Sequence, residues 1–216
     1  MGNIDTTDLF LTIKTASELH DMKAQTVQAK LNDGVITQKG AEEQFAHLEA
    51  TYGWNDTLAE VRNTVETELT DAQENIAKQR AKLTAPTGST ADQQLAETRV
   101  ARVWPRVQSE LESANGAARL DIALKAVQSA DDSIKPILVQ ELVPYLLAKG
   151  IHQDGVDQLF LRPLFPRFAK ALDDLRDDTK AAVQVRHNLN IAESRTKAGM
   201  KYNRGLAQHW VEPVNA

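Results

Sequence analysis

Cysteine is absent from the 216 residues, which removes disulfides, thiolate metal sites, thiol redox chemistry and cysteine nucleophiles together. Aromatic residues are scarce at 5%, and alternating β-branched runs extend for no more than a few positions, so little favours strands. No apolar run approaches the ~20 residues that a membrane span needs; even Ile134 to Leu147 is interrupted by Lys135, Gln140 and Glu141. The start Met1-Gly2-Asn3-Ile4-Asp5 has neither the basic residues nor the apolar core of a secretory signal, which leads to the expectation of a cytoplasmic protein with no membrane partner.

Motifs of catalysis are equally sparse. The five histidines, His20, His47, His152, His187 and His209, are too dispersed for an i, i+3 or i, i+4 ligand pair. The ten glycines stand singly at turns, with no P-loop, dinucleotide fingerprint or nucleophile elbow. Asp33-Gly34 resembles the centre of a calcium loop, but setting Gly34 at its sixth position places Ala29, Leu31 and Gly40 where ligands belong. The paired carboxylates Glu42-Glu43, Asp131-Asp132, Asp173-Asp174 and Asp177-Asp178 lack the Glu-x-x-His of a di-metal bundle. Interleaved Arg176 and Lys180 make solvated helix surface the expectation for Asp174 and Asp178. A non-catalytic protein without metal or cofactor is expected.

What is present is helical periodicity, and the expected fold class is all-α. Hydrophobic residues at 42% and charged residues at 25% are globular usage. Thr15-Ala-Ser-Glu18 has capping-box spacing, Gly34 supplies a stop, and Thr37 caps the next helix, predicting an N-terminal hairpin. A long amphipathic helix follows from Trp54 to Leu83, with Leu69, Ile76 and Leu83 at sevenfold spacing beside Leu58, Val65, Ala72 and Gln79. Such a seam serves either intrachain packing or a coiled coil; Leu58, Val65, Leu69, Ile76 and Leu83 are the candidate self-association residues.

Ala85-Pro86-Thr87-Gly88-Ser89 is the clearest break. Beyond it Thr90-Ala-Asp-Gln93 offers a second capping box, and Pro105 and Pro144 predict kinks or breaks. Val156 to Leu161 is a brief element, and helix resumes from Pro166 to about His187. The predicted divisions are 1–85, hairpin plus long helix; 86–187, a compact multi-helix domain; and 188–216, a basic C-terminal arm.

Two patches are candidates for partner binding. Phe160, Phe165 and Phe168 gather around Pro163 and Pro166, an apolar corner suited to a partner socket or to a buried helix junction. Arg186, Arg195, Lys197, Lys201 and Arg204, with Trp210 nearby, could dock on an acidic protein or neutralise phosphates. Charge is also divided along the chain: residues 1–85 hold 14 acids and 8 bases, residues 151–216 hold 8 acids and 10 bases, within a formal net charge of −5. That asymmetry suits head-to-tail association.

A helical, cysteine-free chain with a basic terminal segment is similar in plan to bacteriophage scaffolding and other virion-assembly proteins. The resemblance implies a structural protein that self-associates and binds a larger protein assembly, in a host cytoplasm or a virion. The alternative from the same residues is a nucleic-acid-binding regulator using the basic segment.

Overall fold

The computed structural model describes residues 4–83, 88–197, 210 and 213. It is all-α, with no strand among the described residues. Nor is any described helix long and apolar enough to cross a membrane. Helix α1 spans Thr6–Asn32, α2 Gln38–Tyr52 and α3 Trp54–Leu83. Helices α4 (Thr90–Glu112), α5 (Gly116–Gln128) and α6 (Lys135–Ala148) follow. A short turn α7 (Gln153–Gly155), a π-helical stretch Val156–Leu161 and a second turn α8 (Arg162–Leu164) then lead into α9 (Pro166–Lys197).

Several boundaries differ from those expected, each for a local reason. Helix α1 begins nine residues before Thr15, because the Asp5 carboxylate accepts hydrogen bonds from the Thr7 and Asp8 amides at 3.0 and 3.1 Å. The second capping box sits one residue earlier than predicted: Ser89 is the N-cap and Asp92 its reciprocal partner. The Ser89 hydroxyl and amide, bonding Asp92, hold that carboxyl below its ordinary range. Pro105 and Pro144 lie inside α4 and α6, which run on through them. The brief element Val156–Leu161 exists, in π form, and α9 continues ten residues past His187.

Packing divides the chain into two compact units at places other than the sequence breaks. Unit 1 comprises residues 1–71 and 175–216, and unit 2 comprises residues 72–174. The divisions fall inside α3 and α9, not at the Pro-Gly break. Of the arm expected from residue 188, residues 188–197 belong to α9, and most of the rest lies outside the described residues. At this end of α9, Leu189 and Ala192 are fully buried.

The core of unit 1 is built from α1, α2, the first part of α3 and the last part of α9. Ile13, Ala24 and Val27 meet Phe45, Trp54, Leu58, Val65, Val185 and Leu189 in one cluster. Burying a Val, Leu or Phe side chain contributes about 1.5–3 kcal/mol, so this cluster is the main stabilising element of the unit. In unit 2, α5 packs against α4, α6 and the π-helical stretch. Leu111, Leu120, Leu138, Leu142, Leu146 and Phe160 are buried there. Asp157, also buried, accepts from Arg80 Nε at 3.2 Å and from Gln153 Nε2 at 2.9 Å, tying α3 to the π-helical stretch.

Candidate docking face

The residues expected to bind partners are largely consumed by the chain itself. Leu58, Val65 and Ile76 are buried, and Leu69 and Leu83 are half-buried. The long amphipathic helix therefore spends most of its apolar seam on intrachain packing. Phe160 and Phe168 are buried and Phe165 half-buried, so the phenylalanine corner is mainly a helix junction within unit 2. Beside it in the chain, Leu159 is exposed.

The basic segment is corrected more sharply. Arg195 is only 6% exposed, and its Nη1 donates to Ser17 Oγ at 3.1 Å and to Asp21 Oδ2 at 3.3 Å. The guanidinium also lies 5.3 Å from the Trp210 ring centre, while Trp210 stands edge-on to Phe10 at 6.1 Å. This is an internal staple, in which the Asp21 carboxylate offsets the cost of taking a permanently charged guanidinium out of water. Arg186 donates to both Glu66 oxygens, at 3.0 and 2.6 Å, and Lys197 lies 3.3 Å from Glu193. Lys201 and Arg204 lie outside the described residues.

Glu193 is the hub of a further set. Burial raises its carboxyl, but the Arg62 guanidinium at 2.7 Å and the Lys197 ammonium outweigh that and leave it below the ordinary carboxylate range. Asp178 departs from the expected solvated surface: it is buried and accepts from the Ile4 amide at 3.1 Å. Its neighbour Asp174 pairs with Lys170 at 2.8 Å. No group of three or more histidines and carboxylates placed to hold a metal occurs among the described residues.

A different surface of unit 1 is left open. At 100° per residue, Leu11, Thr15 and Met22 fall on the side of α1 opposite Ile13, Ala24 and Val27. Leu11 is 53% and Met22 54% exposed, while the others of the opposite stripe are fully buried. Beside them, α2 ends at Tyr52 and α3 begins at Trp54, joined by Gly53 in the left-handed region at φ 60°. That one-residue corner brings Tyr52 and Trp54 to one groove of about 340 Å³, shared with Leu11, Thr15 and Leu19.

Tyr52, 44% exposed, is steadied by Lys23, whose Nζ donates to the phenol oxygen at 3.1 Å and lies 4.4 Å from the ring centre. Trp54 is buried, and its indole N–H finds no acceptor among the described residues. Its other face meets His20 and Phe45 at 5.5 and 5.4 Å. His20 is in turn held by Asp21 at 3.0 Å. The groove thus has a packed aromatic floor with exposed Leu11 and Tyr52 at its edge; on α1, Asp8 and Glu18 are exposed on the same side of the helix as Leu11.

This face was missed because the expected start of α1 at Thr15 excluded Leu11 from the helix. Once the helix begins at Thr6, the displacement of Leu11 and Met22 from the core stripe is visible in the sequence. Comparison with protein-family models, with curated proteins and with solved structures finds no match to the chain.

Proposed function

We propose that this is a structural or assembly protein that self-associates, and that the open face of α1 with its groove is part of the binding surface. The observation that carries the reading is the position of Leu11, Met22 and Tyr52: three large apolar side chains, each at least 44% exposed, of which Leu11 and Tyr52 line a groove with the buried Trp54 indole and Met22 continues the Leu11 stripe of α1. Leaving them in water forfeits roughly 1 kcal/mol or more apiece that the core would supply, and an aromatic-floored groove is the form that binding hot spots take.

The larger assembly that a scaffolding-like role requires is engaged, in this reading, through Lys201 and Arg204 rather than through Arg186 and Arg195, which carboxylates already hold. The same pairing weakens the nucleic-acid alternative, because a phosphate track needs cations that are not already neutralised. A role in virion assembly is the setting in which these properties fit together.

The test is solution mass, by light scattering during size-exclusion chromatography of the full chain over a range of concentrations. The wild-type protein is expected to form multimers whose fraction grows with concentration. The double variant Leu11→Glu, Met22→Glu is expected to remain monomeric with an unchanged helical circular dichroism spectrum. A wild-type protein that is monomeric at every concentration overturns the self-association reading.

A further inference from the structure

Unit 2 carries a surface whose chemistry is the converse of the α1 face. On α4, Arg99, Arg102 and Arg106 are all exposed, and their i, i+3, i+7 spacing sets them in one row. Arg106 is only loosely matched, 3.9 Å from Glu110, and Arg99 has a long contact of 3.4 Å to Ser133 Oγ. Arg106 lines a groove of about 720 Å³ between α4 and α5, together with Val103, Val107, Ile122, Ile134 and Lys125, and Arg99 and Arg102 continue its row along α4. Glu110 and Asp131 also border this groove, and Lys125 is 2.7 Å from Asp121, so the positive pole is the α4 shoulder.

We propose that the α1 face of one copy docks into the α4–α5 groove of a second copy. Leu11 and Met22 seat on the apolar floor, and Asp8 and Glu18 stand opposite Arg99, Arg102 and Arg106. The inference rests on the self-association reading above and names its partner surface. Both halves of the complementarity are needed. A polyanion would satisfy the arginine row but leave the half-buried Val103 and Ile122 facing water, whereas the α1 face supplies carboxylates and apolar side chains on one helix stripe.

The spacings agree. At a rise of ~1.5 Å per residue, Asp8 and Glu18 are about 15 Å apart along α1 and Arg99 and Arg106 about 10 Å apart along α4. Two long arginine side chains span that difference. Because one face docks on a different face, each bound copy still offers an open face and an open groove. Such contacts extend into chains or close into rings. The exposed ion pairs make the association weaken with salt.

The experiment uses two charge-reversed full-length proteins and their mixture, by the same light-scattering measurement at low and high salt. Arg102→Glu, Arg106→Glu and, separately, Asp8→Lys, Glu18→Lys are each expected to weaken self-association about tenfold or more. Mixing them is expected to restore it, because each supplies the sign that the other lacks. If both reversed proteins associate like the wild type while Leu11→Glu, Met22→Glu does not, self-association through α1 stands and the α4–α5 groove is overturned as its partner. If the reversed proteins stay apart in the mixture, the pairing is likewise overturned. A wild-type monomer removes both this inference and the reading beneath it. Circular dichroism melts of each variant separate loss of docking from loss of fold.

Discussion

Unit 1 is closed by residues far apart in the chain and unit 2 by near neighbours. In unit 1, Arg195 reaches Asp21, Arg62 reaches Glu193, Arg186 reaches Glu66 and the Ile4 amide reaches Asp178. Each contact joins one end of the sequence to the other. In unit 2, α4, α5, α6 and the π-helical stretch follow one another and pack in nearly that order, with Arg80 to Asp157 as its long-range ion pair. The contrast teaches that charge at a chain end is a poor sign of a free arm. In unit 1 the C-terminal cations complete a fold whose other half was laid down at the N-terminus.

The comparison can be broken most completely by shortening α9. Removing residues 191–216 deletes Ala192 and Arg195 from the core of unit 1, and that unit is expected to lose cooperative unfolding. Unit 2 keeps its own transition, and two-step urea denaturation followed by circular dichroism reads both. A truncation intended only to remove a docking arm would therefore unfold half the protein.

A smaller break is Arg195→Met, which takes the cation from the buried Asp21 carboxylate and leaves it with His20; it is expected to cost about 3 kcal/mol, confined to the unit 1 transition. The corresponding change in unit 2, Arg80→Ala, leaves the Asp157 carboxylate accepting from Gln153 Nε2 at 2.9 Å. It is expected to cost about 2–3 kcal/mol and to move only the other transition. Were both substitutions to shift both transitions equally, the two units would be one cooperative block.

The smallest effect is set by pH. The Glu193 carboxyl sits below its ordinary value of 4.5, so its contribution is complete above that value and is lost as pH falls through the depressed folded value. Unit 1 is thus expected to weaken as pH falls below the ordinary 4.5, and Glu193→Gln to flatten part of that fall. A variant with the same acid profile as the wild type would assign the loss to other carboxylates.

Much of the architecture was legible. The hairpin stop at Gly34, the Thr37 cap, the long helix Trp54–Leu83 and the short element at Val156 are local signals, and local signals survive folding. What stayed hidden depended on partners distant in sequence. Arg195 and Lys197 have the same character in a string of letters, yet one is buried against Asp21 and the other lies at the surface beside Glu193. Asp174 and Asp178 share a helix face by spacing, but the Ile4 amide that claims Asp178 is 174 residues away. The α1 face failed for a different reason: an apparent capping box at Thr15 outcompeted the true cap at Asp5, and Leu11 was read as lying before the helix.

The division of α3 and α9 between the units also bears on synthesis. Unit 2, residues 72–174, is made between the two segments of unit 1. At roughly 5–20 residues per second, a nascent chain that has finished α1, α2 and the first part of α3 waits on the order of ten seconds for Leu189 and Arg195. Throughout that interval Val27, Leu58 and Val65 have no α9 to cover them. The ribosome thus exposes an unfinished apolar half whose completion depends on the last helix, while the contiguous unit between can fold as soon as it emerges.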